Sequence, residues 1–151
     1  MKCLYFFTIV IMLTSCQSDA LTQKAQLHFD EKGIVFPEEL KHCVIIPGGG
    51  CAGCIAAGLE FFLSNERSFS NEQEENMIVF TKINSIKLLK RNIKGKKIED
   101  YNAIIDSTNL YSLNIKENTY PIILYFNNGR IILADVQSPQ TMALEKLKKE
   151  L

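Results

Sequence analysis

The strongest constraint on the fold is a change of pattern between residues 43 and 63. Cys43-Val44-Ile45-Ile46 is an apolar, β-rich run stopped by Pro47 and three successive glycines, which is how a strand buried on both faces reads. Beyond the glycines, Ala52, Ile55, Ala56, Leu59, Phe62 and Leu63 recur at helical spacing, so a helix is predicted from about Cys51 to Ser64. Cys51-Ala52-Gly53-Cys54 therefore opens a helix at the point where a buried strand ends.

The same alternation then repeats. Met77 to Thr81 reads as a second strand, and Ile86, Leu88, Leu89 and Ile93 mark a helix closed by Gly95 and lysines. Strand, helix, strand, helix predicts parallel pairing. Tyr101 to Ile105 reads as a third strand ending at Asp106, with a short helical or turn segment from Ser107 to Leu113. Tyr120-Pro121 introduces a strand from Ile122 to Phe126, Asn127-Asn128-Gly129 is a hairpin turn, and Arg130 to Val136 returns. Ser138-Pro139 is expected to cap a last helix with Met142, Ala143, Leu144 and Leu147 as its apolar stripe. The expected fold is α/β, a central mixed sheet made of a parallel βαβ unit and a C-terminal β-hairpin, flanked by helices.

A chain of 151 residues has room for one such domain, expected over residues 34–151. Glu38 to Lys41 is expected to form one helical turn. Residues 16–33 are polar, with Leu21, Leu27 and Phe29 as the large apolar residues of Gln17 to Lys32, and read as a tether running into a first short element. Lys plus Arg and Asp plus Glu are equal at 17 each, so no global field draws the protein to nucleic acid.

The first 15 residues read as an export signal. Lys2 is a minimal positive region, and Leu4 to Leu13 is an apolar run broken only by Thr8, too short to span a bilayer, which takes about 20 residues. Leu13-Thr14-Ser15-Cys16 resembles the lipobox of bacterial lipoprotein signals. That resemblance implies cleavage before Cys16, diacylation of its sulfur, acylation of its new amine, and anchoring to a membrane of the cell envelope. Gln17 stands after Cys16 where an Asp would signal inner-membrane retention, which makes the outer membrane the default. Of the five cysteines, Cys3 leaves with the signal, Cys16 carries lipid, and Cys43, Cys51 and Cys54 remain as thiols outside the cytosol, where a close pair is either a structural disulfide or a redox site.

Cysteines at i and i+3 in a first helical turn share a face, so a disulfide can open and close between them with little distortion. The first points at free backbone N–H groups and the positive end of the helix dipole, which favours thiolate, so Cys51 is the candidate nucleophile and Cys54, one turn in, the resolving thiol. A four-residue ring restrains the unfolded chain little, which weighs against a purely structural disulfide. A metal site with His42 and Cys43 would need ligands from both ends of one strand, about 20 Å apart. Cys43 reads instead as a buried core thiol. Gly48, Gly50 and Gly53 match the spacing of a dinucleotide-binding turn, but the next strand ends at Thr81-Lys82 without a carboxylate for a ribose. No metal or cofactor is expected.

With the C-x-x-C at a helix start, a proline before a hairpin strand and a closing helix, residues 34–151 resemble the thioredoxin superfamily. Ala103 to Asp106, Tyr120-Pro121 and Asn128-Gly129-Arg130 are similar to its membrane-anchored envelope members. The resemblance implies that Pro121 is a cis-proline beside the dithiol and that Tyr120 offers its backbone to an incoming peptide. The chain departs from the family at three places: Gly50 stands where a tryptophan is usual, Ile45 where many members keep a buried acid, and Gly53 where a proline is common. The implied function is an envelope thiol–disulfide oxidoreductase whose partners are exported thiol or disulfide proteins or a membrane electron donor. The alternative is a non-catalytic lipoprotein of the same fold, acting as a redox sensor, a soft-metal binder or an accessory or structural protein.

Overall fold

The computed structural model describes residues 16–116 and 119–151, with side chains in its first helix from Ala20 onward. The segment read as an export signal, residues 1–15, lies outside the described residues, as does the side chain of Cys16. The elements in order are α1 (Cys16–Glu31), β1 (His42–Pro47), α2 (Ala52–Ser64), β2 (Asn76–Thr81), α3 (Ile86–Asn92), β3 (Ala103–Asp106), β4 (Ile122–Asn127), β5 (Arg130–Val136) and α4 (Ala143–Leu147). Single 3-10 turns cover Glu66–Phe69 and Ile98–Asp100.

The strands form one five-stranded mixed sheet in the order β3-β2-β1-β4-β5. β1 pairs with β2, and β2 with β3, in parallel; β4 runs antiparallel to both β1 and β5. β1 lies at the centre and every residue in it is buried, which accounts for its unbroken apolar run. Successive side chains leave opposite faces of a strand. Cys43, Ile45, Val79, Ile122 and Leu124 accordingly join Ala25 and Phe29 of α1 on one face. Val44, Ile46, Ile78, Phe80 and Ile123 join α2, α3 and α4 on the other. Phe62, Phe69 and Phe80 are fully buried in the second layer, each worth about 1.5–3 kcal/mol relative to exposure. The hairpin turn forms as the sequence predicts, with Asn128 at φ 50° and Gly129 at φ 73°, both left-handed as a type I′ turn requires.

Two expectations are corrected. Residues 16–31, read as a tether, are a helix whose Ala25 and Phe29 are completely buried. The helix seals the sheet edge as well as the core, because Gln26 Oε1 accepts the Ile131 N–H and Thr22 Oγ1 accepts the Ala134 N–H, each at 3.0 Å. Both donors belong to edge strand β5 and would otherwise be open to pairing with another chain. The last helix is also shorter than expected. Ser138 Oγ accepts the N–H groups of Gln140 and Thr141, which holds these residues in a turn. Met142 then sits at φ 48°, 53% exposed, and only Ala143, Leu144 and Leu147 face the core. Two smaller segments resolve as turns: Leu40 N–H reaches Pro37 O at 3.2 Å, and residues 107–111 wrap the Asp106 carboxylate.

Candidate functional site

The dithiol lies at the C-terminal end of β1, where three glycines carry the chain from sheet to helix. Gly48 donates its N–H to Thr81 O at 2.7 Å, and a Cβ there would stand 2.8 Å from Lys82 O. Gly50 has φ +127°, and a Cβ on it would come within 2.5 Å of Thr119 Cβ. Only glycine fits both demands. The close approach at Gly50 explains why no tryptophan occupies it. It also brings the segment Thr119-Tyr120-Pro121, which leads into β4, alongside the residue preceding Cys51. Thr119 was not singled out from the sequence, and the glycine run itself was the signal that something approaches the backbone there.

Cys51 is the N-cap of α2, and its carbonyl accepts the N–H groups of Cys54 and Ile55 at 3.0 Å. Cys54 Sγ directs its thiol at Cys51 Sγ across 2.6 Å. Both residues are partly exposed, while Ala52 and Gly53 are exposed, so an incoming sulfur can reach the pair from solvent. The two thiols differ in acidity. Hydrogen bonding from the Cys54 thiol first, then from the Cys54 and Gly53 backbone N–H groups, outweighs desolvation and holds Cys51 below the ordinary thiol range. Cys54 is pushed up to about 11 by desolvation, by the hydrogen bond it gives and by the negative charge on Cys51. The arrangement puts a thiol of lowered pKa in reach of a second thiol of raised pKa, so Cys51 is the more readily ionised of the two.

The Tyr120–Pro121 bond is trans, since no peptide bond among the described residues is cis. This corrects the expectation of a cis-proline. Pro121 lies immediately before β4, where its missing N–H costs no ladder bond, and its carbonyl accepts the Gln137 N–H at 2.8 Å. The trans form is also intrinsically favoured by about 0.5–1 kcal/mol. Tyr120 and Pro121 follow Thr119, the residue that stands against Gly50 of the dithiol loop.

The other candidates fall elsewhere. His42 begins β1 at the far end of the sheet, with Nδ1 2.7 Å from Asn76 Oδ1. Cys43 is fully buried, and burial drives its thiol far above the usual range. Ile45 is buried, and no carboxylate stands behind Cys54 on β1. The buried carboxylate at this end is Asp106, at the tip of β3. Burial alone would raise its pKa, but hydrogen bonds from the Tyr111 N–H, the Thr81 hydroxyl, the Leu110 N–H and Thr108 together lower it. Asp106 thus organises the loop after β3 as an anion. Among the described residues no three His, Cys, Asp or Glu side chains cluster as metal ligands.

Beside the dithiol helix, a cleft of about 90 Å³ opens between α2 and α3, with Ile55, Leu59, Ile83 and Leu88 as walls over Ile46 and Phe80. Among the described residues no helix is long and apolar enough to cross a membrane. No family model matches the chain, and neither does any curated protein or solved structure.

Proposed function

We propose that this protein is a thiol–disulfide oxidoreductase of thioredoxin-like fold, anchored by lipid at Cys16 in the bacterial cell envelope. One observation carries the reading: two thiols in contact at a helix start, with the first held acidic and the second basic. The sheet supports it, with a parallel β1-α2-β2 unit, an antiparallel β4-β5 hairpin on the other side of β1, and a closing helix on the α2 face. The approach of Thr119 to Gly50 supports it, because the superfamily resemblance implies a strand entry beside the dithiol that meets a substrate backbone.

In the reducing direction the Cys51 thiolate attacks one sulfur of a partner disulfide, forms a mixed disulfide and displaces the partner's other sulfur as a thiolate. Cys54 then loses its proton and attacks Cys51 Sγ, releasing the second partner thiolate and leaving a Cys51–Cys54 disulfide. Two electrons pass to the partner, and the displaced thiolates take up protons from Cys54 and solvent. The reverse sequence oxidises a partner dithiol.

The full chain should therefore reduce insulin catalytically when supplied with dithiothreitol. Cys54→Ser should accumulate mixed disulfides with exported proteins, because attack still occurs and resolution does not. Cys51→Ser should trap none. A protein that lacks turnover and keeps two static thiols through an oxidation and reduction cycle would instead be the accessory lipoprotein.

A further inference from the structure

We propose that the dithiol end of the sheet is the membrane-facing surface of the protein, so that Cys51 meets thiols and disulfides displayed at the bilayer surface. The inference rests on the reading of Cys16 as the lipid-bearing residue and goes beyond it, because an anchor alone fixes neither distance nor orientation.

The argument begins with the direction of α1. Its Thr22 is bonded to Ala134 and its Gln26 to Ile131, so as numbers rise along α1 they fall along β5. β5 itself runs toward the dithiol, since Val136 pairs with Ile122 and Ile122 with Ile45 of β1. The start of α1 therefore points to the dithiol end. Ala20 and Leu21 confirm this by sharing a crevice with Ile115, Val136 and Thr141. The helix begins at Cys16 itself, about 9 Å beyond Thr22 at 1.5 Å per residue. With β5 two strand spacings from β1 and a helix lying about 10 Å off the sheet, residue 16 comes within about 25 Å of Cys51. A disordered tether of the same length would let the domain tumble; a helix with Ala25 and Phe29 buried does not.

Exposed apolar side chains then favour the same end. The segments attached to the strands at the dithiol end are 47–53, 82–87, 107–121 and 137–142. Ile86, Leu88, Leu110 and Met142, four large apolar side chains exposed to solvent, lie on these connections or the first turn of α3. At the opposite end the segment before β1 exposes Val35 alone. Charge does not separate the two ends: the sequence of the first carries Lys82, Lys87, Lys116, Asp106 and Glu117, and the acidic residues of 37–41, 70–75 and 98–102 at the second are accompanied by Lys41, Lys94, Lys96, Lys97 and Arg130. A membrane interface accepts apolar side chains. Anchor position and apolar exposure select the same end.

The test uses the full chain, purified with its acyl chains and reconstituted in vesicles of phosphatidylethanolamine and anionic phosphatidylglycerol. A fluorophore is placed on Cys51 in Cys54→Ser, and in a second sample at residue 74 through Glu74→Cys in a chain lacking Cys51 and Cys54. Nitroxide-headgroup lipid should quench the label at residue 51 and leave that at residue 74 bright. A 20-residue Gly/Ser insert between Ser18 and Asp19 should abolish the difference. Equal quenching at both positions of acylated protein, or stronger quenching at residue 74, would overturn the orientation while leaving the anchor intact. Protein that carries no acyl chain on Cys16 and fails to float with vesicles would overturn the anchor and the orientation together.

Discussion

Cys43 and the Cys51–Cys54 pair are the same chemical group in two regions of one short stretch of chain, and the fold makes them opposites. Cys43 sits near the start of β1 among Ile45, Val79 and Leu124, where burial keeps its thiol protonated. Eight residues later the chain has left the sheet, and Cys51 stands at a helix start surrounded by donors. The difference in acidity thus comes from where β1 stops, at the glycines that carry the chain into α2. The interior holds a thiol that stays protonated, and the end of the sheet holds one that ionises more readily.

Variants can press on that division from either side. In the interior, Phe29→Ala removes a fully buried ring packed 5.1 Å from Phe36 and 5.8 Å from Tyr111, and should cost about 3–5 kcal/mol by chemical denaturation. The alkylation rate of Cys51 in the folded variant should not move. If the loss is under about 1 kcal/mol, a range typical of surface positions, α1 is a tether after all.

Glycines give the next largest effect. Gly50→Ala at the dithiol end and Gly129→Ala in the far hairpin each force a Cβ into a left-handed residue against a close neighbour, Thr119 Cβ at 2.5 Å and Phe36 O at 2.9 Å. Each should cost about 1–3 kcal/mol. Only Gly50→Ala should also slow thiol–disulfide exchange, because only it displaces the loop holding Cys51. Equal kinetic effects from both would dissolve the distinction between the ends.

Carboxylates provide a smaller contrast. Asp106 at the dithiol end is held by hydrogen bonds at both oxygens, whereas Glu75 at the far end makes an exposed ion pair with Lys41 at 2.7 Å. Asp106→Asn should cost about 2 kcal/mol and Glu75→Gln less than about 1 kcal/mol. The pH profile carries the sign: the folded pKa of Asp106 is lowered, so its contribution is present above the unfolded carboxyl pKa near 4 and is lost as pH falls through the folded value. Asp106→Asn should remove that acid limb of the stability curve.

The sequence makes the sheet legible and leaves much of its surroundings hidden. β1 and the β4-β5 hairpin announce themselves because each is an apolar run punctuated by glycine, proline or Asn-Gly, and β2 because its apolar run stands between polar segments. α1 does not, since it docks through Ala25 and Phe29 while its Leu27 stays 60% exposed, and its polar Thr22 and Gln26 serve a neighbouring strand. Met142 reads as part of an apolar stripe until the Ser138 turn rotates it outward. The isomer of Pro121 is invisible in composition, and so is Thr119 on Gly50, a contact between residues far apart in the chain. The meeting of Cys51 and Cys54 is legible because i, i+3 spacing at a helix start is a local property.

The central claim is that Cys51, and neither of the other two thiols, is the reacting group. Its most direct test is the rate of iodoacetamide modification at each cysteine of the reduced full chain, followed by peptide mass spectrometry from pH 5 to 10. Cys51 should react fastest, with its midpoint below the ordinary thiol value of about 8.5. Cys54 should gain reactivity only as pH approaches about 11, and Cys43 should stay protected until the protein unfolds. Comparable rates and midpoints for Cys51 and Cys54, or early labelling of Cys43, would contradict the account.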